Sequence, residues 1–451
     1  MRYLPLAGAD RSDMLDAIGV KSIEDLFADV PVAARIDKPF DLPPHSGEIE
    51  VERALAAMAA KNVSAGTVPC FLGAGAHRHH IPAAVDHLVQ RGEFLTSYTP
   101  YQPEISQGTL QFLYEFQTQV ALITAMDVAN ASMYDGASAT AEAVMMARRI
   151  TGRDKVVVSA GLHPHYRDCV TSFAQFIGVK IVAPPPNPAP QFEGAVELAT
   201  LLDEATACVV VQNPDVFGRL QDFTPLARHC HDIGALLVVA VSEVISLGCV
   251  RPPGEMDADI VVAEGQSLGN PMNFGGPYVG LFASRDEFVR QMPGRISGET
   301  TDIEGRRGWV LTLATREQHI RRQKATSNIC TNSGLCALAF TIHLALLGSV
   351  GFERLARINH HRAVKCADAL AGVPGCDVIT EHFFNEFTVK LSKPATDVAD
   401  DLADKGVLGG VPVSRLYPEV EGFENLLLVA ASETNSDADI TALVQALGDV
   451  L

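Results

Sequence analysis

Positive charge is scarce in this sequence. Lys and Arg number 35 against 54 Asp and Glu, a formal net charge of −19 at pH 7. That sign excludes a sequence-independent grip on phosphate backbones and disfavours an anionic membrane surface. Charge of either sign is modest, at 20% beside 47% hydrophobic residues. This is apolar material for a large core and too little charge for a disordered chain. The nine cysteines are scattered from Cys70 to Cys376 with no CxxC pair, which points to buried free thiols in a reducing compartment. The opening MRYLPLAGADRSDML lacks an apolar run of signal-peptide type. The longest apolar stretch, Leu335 to Leu347, is interrupted by Thr341 and His343 and falls short of the roughly 20 residues a bilayer span needs. The expectation is a soluble cytoplasmic protein. No internal repeat is visible, and the one biased segment, PPPNPAP at 184–190, reads as a surface loop or turn.

A chain of 451 residues suggests about two or three domains. Residues 1–64 read as an N-terminal arm with short helices, one of them starting near Ser22, and its Lys38–Pro44 stretch cannot continue a helix. Residues 65–330 read as a large α/β domain. Helical periodicity runs through Ile81–Arg91 and Ala137–Ile150, with amphipathic segments at His165–Ile177 and Val196–Ala205. Short β-branched runs occupy Lys155–Ser159, Lys180–Ala183, Cys208–Gln212, Leu236–Val241, Ile260–Ala263 and Val279–Ala283. Strands this apolar, alternating with helices, predict a mostly parallel sheet covered on both faces, with ligands beyond the strands' carboxyl ends. Residues 331–451 read as linking helices and a smaller α+β domain. Helices are predicted from Arg316 through Leu347 and from Phe352 to Ala371. Strands follow near Phe387–Leu391 and Asn425–Ala430, and helices near Asp397–Lys405 and Ser436–Leu447.

Several constellations lie at the ends of the predicted strands. Asp135-Gly136-Ala137-Ser138-Ala139-Thr140 leads into good helix formers. It is either a candidate anion site, from free amides and the hydroxyls of Ser138 and Thr140, or an ordinary capped helix with small residues for close packing. Gln212-Asn213-Pro214 is a turn signal that would also set the Asn213 amide over a ligand. The strand at 236–241 ends in Ala240 and Val241 with no carboxylate, and Glu243, slightly later, reads as solvated. The histidines at His77, His79 and His80 do not converge on one ion by spacing, so no metal is expected. Gly73-Ala74-Gly75 lacks the third glycine of a dinucleotide loop. Tyr98, Thr99 and Tyr101 stand in a proline-framed stretch suited to lining a site or to simple surface packing. Arg306, Arg307, Arg316, Arg321, Arg322 and Lys324 form the one basic concentration, a receiver for an acidic partner or phosphate, or a solvated helix face.

Taken in order, YTPYQPEISQGTLQFLYEFQT, MYDGASATAEAVMMARR, NPDVFG, NFGGPYVGLFA, MPGRISG and TREQHIRRQKATSNICT resemble the amino-terminal half of the P-protein of the glycine cleavage system. Where that enzyme is split into two polypeptides, they resemble subunit 1. The resemblance covers nearly the whole chain. It implies the aspartate aminotransferase-like fold of type I pyridoxal-phosphate (PLP) enzymes. It also implies an oxidative decarboxylation: PLP forms an imine with glycine, carbon dioxide leaves, and the aminomethyl group passes to the lipoyl arm of the H-protein.

Such a site needs a lysine for the resting imine and a carboxylate that keeps the pyridine nitrogen protonated. Laid on the family's pattern, Pro271 and Gly275-Gly276-Pro277 fit, but the lysine position falls on Gln266 and the carboxylate position on Ala240. The resemblance therefore implies a chain that binds no cofactor covalently and works beside a PLP-bearing subunit 2. In this fold each partner supplies residues to the other's pocket, and Tyr98, Thr99 and Tyr101 are the candidates here. Two alternatives are a self-sufficient PLP aminotransferase or lyase using Lys155, Lys180 or Lys324, and a non-catalytic scaffold.

Overall fold

A computed structural model describes residues 7–36, 38, 40–189 and 194–451. The first six residues, Pro39 and Pro190, which figure in the sequence readings above, lie outside the described set. The chain divides into two compact units, 1–63 and 64–451. In the first, helices α1 (Gly8–Ile18) and α2 (Glu48–Ala59) contain no buried residue. At the predicted helix start, Ser22 Oγ accepts from the Asp25 N–H at 3.3 Å, and short 3-10 turns at Glu24–Phe27 and Val32–Ala34 follow.

The second unit is built on a seven-stranded sheet. Its strands are β1 (Val128–Ala129), β2 (Lys155–Val158), β3 (Lys180–Val182), β4 (Thr206–Gln212), β5 (Leu236–Val241), β6 (Ile260–Glu264) and β7 (Gly280–Ser284), in the order β1-β7-β6-β5-β4-β2-β3. The strands from β2 to β6 pair in parallel, and β7 runs antiparallel to β6. β4 and β5 are buried along their whole length. Val209, Val211, Leu237 and Val239 face one core cluster, while Cys208, Val210, Val238 and Ala240 face another. This period of two, with apolar residues on both faces, is why these strands read as continuous hydrophobic runs. Each fully buried valine or leucine stabilises the fold by about 1.5–3 kcal/mol relative to exposure.

Helices cover both faces. α3 (Gln107–Thr124) contributes Phe116 and Val120 to the first core, and α4 (Gly136–Thr151) contributes Val144 and Met146 to the second. α5 (Pro164–Ala174) packs beside α4, and α6 (Thr224–Asp232) leads into β5. A hairpin of β8 (Ile296–Thr301) and β9 (Arg307–Thr312) was not legible in the sequence, because it is half-buried or exposed along most of its length and its runs ISGETT and RGWVLT show no strict apolar–polar alternation.

The predicted helix beginning at Arg316 starts instead at Gly334. Residues 316–333 form short turns. There the Arg316 guanidinium is drawn onto the carbonyls of Met292 and Gly294, and the Ser333 N–H donates to Ser132 Oγ at 3.0 Å. Tertiary hydrogen bonds thus outweigh local helix propensity. From there α7 (Gly334–Leu370) runs on, broken by non-helical dihedrals at Gly348. It is long and apolar enough to cross a membrane by length and composition, and it places Leu338, Phe340 and Leu344 in buried positions.

The last strands, β10 (Cys376–Val378), β11 (Glu386–Leu391), β12 (Val411–Pro412) and β13 (Leu426–Ala430), form an antiparallel sheet in the order β10-β11-β13-β12. It is packed by α8 (Ala395–Asp404) and α9 (Asp437–Val450) around Val389, Leu391, Leu427 and Val429.

Candidate functional site

The carboxyl edge of the parallel strands gathers the residues singled out above. Ala240, fully buried, lies in register with Gln212 of β4 and Val262 of β6. Its methyl belongs to the core shared with Met146 of α4. Just beyond it the chain closes the space with its own amides. Gln212 Nε2 donates to Pro214 O at 3.0 Å and to Ser242 Oγ at 3.2 Å, while its Oε1 accepts from the His163 N–H at 2.9 Å. Gln266 is buried, and its Nε2 donates to the Asn270 carbonyl at 2.6 Å. The Asn213 amide is engaged with the Gln221 backbone, donating at 3.2 Å and accepting at 3.1 Å.

At the start of α4, Asp135 is the N-cap and its Oδ1 accepts from the Ser138 N–H at 2.6 Å. The candidate anion-site hydroxyls turn onto backbone: Ser138 Oγ donates to Asp135 O at 3.2 Å, and Thr140 Oγ1 donates to Gly136 O at 2.7 Å. The first helical amide, Gly136 N–H, donates at 2.9 Å to Glu264 Oε2 at the end of β6. Glu264 Oε1 accepts from the Gln266 and Val279 N–H groups at 3.0 and 3.1 Å. Burial pushes the Glu264 carboxyl up to about 8, against the pull of these backbone donors. A side chain at position 136 would run into the Tyr166 hydroxyl and the Glu264 Cβ, so only glycine permits this approach.

Beside Glu264 lies a cavity of about 190 Å³ whose lining includes Asp135, His163, His165, Tyr166 and Tyr278. Burial brings His163 down to about 4, and its Nε2 lies 3.0 Å from the Ala74 carbonyl. The lining includes no lysine or arginine. Lys155, at the amino end of β2, is bonded through Nζ to Leu201 O and Asp203 Oδ2, both at 2.7 Å. With no amine in the cavity lining and two carboxyl groups on the helix-start amides, these residues do not fit pyridoxal phosphate.

A second cluster corrects the reading of Glu243 as solvated. It is 2% exposed and sits between two imidazoles. Its Oε2 is 2.9 Å from His79 Nε2 and 3.2 Å from His77 Nδ1. His77 Nε2 lies 3.3 Å from Glu386 Oε2 of β11, and His79 Nδ1 lies 2.9 Å from Glu433 Oε2. Burial opposes charge on His79, but Glu243 and Glu433 outweigh it and raise the ring to about 10. Burial also works against the Glu243 carboxylate, yet His79 and His77 hold it down at about 2. The cluster joins the large sheet to the small one, a role that histidine spacing alone did not reveal.

Tyr98 and Tyr101 are each 77% exposed, whereas Thr99 Oγ1 accepts from the Arg295 guanidinium. The Tyr98–Thr99 stretch borders a cavity of about 510 Å³ with Phe112, Asn332 and Ser333. The basic concentration divides. Arg316 is buried on backbone carbonyls, and Arg306 and Arg307 pair with Asp302, Glu304 and Glu299. Arg321, Arg322 and Lys324 are exposed. Of the functional positions, Glu264 was overlooked in the sequence. The available signal was an ionisable residue closing an otherwise apolar strand.

A mostly parallel sheet with a small antiparallel domain, and a site at the strands' carboxyl ends, is the architecture of the type I PLP-dependent enzymes. Solved structures agree in fold: a Lactobacillus brevis glutamate decarboxylase aligns at 13% identity and TM-score 0.68, over 93% of this chain and 97% of its own. The P-protein family model of the glycine cleavage system matches residues 1–447. A probable glycine dehydrogenase (decarboxylating) subunit 1 from Rhodospirillum centenum is 64% identical over the full length of both chains. The protein of the same description from Rhodospirillum rubrum is 62% identical, again over both full lengths. A crystal structure of inhibitor-bound glycine decarboxylase (P-protein) superposes with TM-score 0.90 at 44% identity, covering all of both chains. The chain belongs to the glycine cleavage system P-protein family.

Proposed function

We propose that this chain is subunit 1 of a two-chain glycine dehydrogenase, the copy of the fold that holds no cofactor. It would complete the site of a PLP-bearing subunit 2, which decarboxylates glycine and passes the aminomethyl group to the lipoyl arm of the H-protein. The observation that carries this reading is the amide-filled strand edge, where Gln266 donates to Asn270 and no lysine stands in the adjoining cavity. Glutamine cannot form an imine, and a buried alanine cannot hold a pyridinium proton. Its contribution would be surface and positioning. Tyr98 and Tyr101 project into solvent from a proline-framed loop, and their hydroxyls are suited to orient a carboxylate or a phosphate in a neighbouring pocket. The net charge of −19 and the free thiols fit a soluble protein of the cytoplasm.

The test compares this chain alone, subunit 2 alone, and the mixture. The expected result is no PLP absorbance and no glycine–bicarbonate exchange from this chain alone, with full exchange only in the mixture. Covalently bound PLP on the isolated chain, or exchange by it alone, would overturn the reading.

A further inference from the structure

Glu264 does something beyond failing to be a cofactor ligand. Backbone amides at a helix start are an anion seat, by their unpaired N–H groups and the helix dipole. If the α4 start were buried with no acceptor, the orphaned Gly136 N–H would destabilise the fold. Here the seat is filled from within. Gly136 donates to Glu264 Oε2 at 2.9 Å, and Ser138 donates to Asp135 Oδ1 at 2.6 Å. Glu264 is held in place by two further donors, the N–H groups of Gln266 and Val279, and is 5% exposed. It comes from the strand end that also leads to Gln266, so one short segment supplies both the amide in place of an amine and the carboxyl that takes up the helix-start amide.

We propose that Glu264 is a built-in substitute for a phosphate group: it satisfies the α4 amide and, by occupying that seat, keeps phosphate-bearing ligands out of this copy of the fold. This rests on the reading of the chain as the cofactor-free subunit. The shape of the site supports it, since the remaining cavity beside the carboxyl is only about 190 Å³ and its rim carries a second acid, Asp135.

The experiment is an anion rescue on the purified full-length chain. Glu264→Ala is expected to unfold at lower temperature than the wild type. Inorganic phosphate should then restore its melting temperature in a saturable way, with apparent affinity roughly tenfold or more above any binding by the wild type. Chloride at matched ionic strength should not restore it. Glu264→Gln, which keeps the space filled, should show no phosphate-dependent rise. If Glu264→Ala does not fold, Glu264→Asp, one methylene short of Gly136, carries the same titration. Absence of phosphate-specific recovery in a folded variant, or an equal rise in the wild type, would refute the role of Glu264. The titration requires no turnover, so its failure leaves the subunit assignment standing, whereas a cofactor-loaded, active chain would overturn both that assignment and the exclusion of phosphate-bearing ligands.

Discussion

At Glu264 burial and chemistry conflict. Its carboxyl is held at about 8 in the fold against 4.5 as the ordinary value. Between those values the unfolded chain releases a proton that the folded chain keeps, so stability falls as pH rises through the window, by up to about 1.4 kcal/mol per pH unit. Glu264→Gln removes the titration. Its stability relative to the wild type should therefore grow from about pH 4.5 to about pH 8 and level off above, as read by urea unfolding. A difference that stays constant across that range would mean that Glu264 does not titrate there. The sequence displayed this residue openly, in VVAEGQ, yet its partner is Gly136, 128 residues away. By contrast, the family resemblance alone laid Ala240 and Gln266 on the positions of an acid and an amine, an assignment that uses residue identity and no geometry.

At the scale of elements, β5 and β6 were legible nearly to the residue, since β-branched runs buried on both faces leave a continuous apolar signature. The turns of residues 316–333 were not, because their conformation is set by carbonyls of residues 292–294. The link between the two sheets was equally hidden. The His77–His79–Glu243 cluster should make the joint depend on pH in a defined way. His79, raised to about 10, contributes fully below about 6.5 and loses its contribution as pH rises through 10. Glu243, lowered to about 2, contributes fully above about 4.5 and loses its contribution as pH falls toward 2. Both contributions are complete only between about pH 4.5 and 6.5. Glu243→Gln leaves buried imidazolium without its central partner and should cost about 3–5 kcal/mol in that window. The deficit should shrink outside it; denaturant midpoints that are insensitive to pH would show that the histidines are uncharged.

For the whole molecule, the question is what the exposed apolar surface is for. Tyr98, Tyr101, Ile105 and Phe274 are each more than three-quarters exposed. In the proposed pairing with subunit 2, Tyr98 and Tyr101 would reach the partner's pocket. Replacing Tyr98 and Tyr101 together by Phe keeps the apolar contact and deletes only the hydroxyls. The reconstituted pair should then assemble normally and lose about tenfold in glycine–bicarbonate exchange, the loss of roughly one good hydrogen bond in the transition state. Exchange equal to that of the wild-type pair would remove both hydroxyls from the site.

By itself the sequence determined the alternation of apolar strands and helices, and with it the fold class, and it determined that residue 266 is a glutamine, which forms no imine. Both are carried by residue identity and short-range periodicity. Only the tertiary structure decided that a strand-end glutamate fills the start of α4, and that Glu243 lies buried between two histidines. The Gly136–Glu264 and His79–Glu243 contacts span 128 and 164 residues. They depend on crossover connections and strand register, which bring distant chain segments together, whereas hydrophobic patterning reports only which side of each element leaves water.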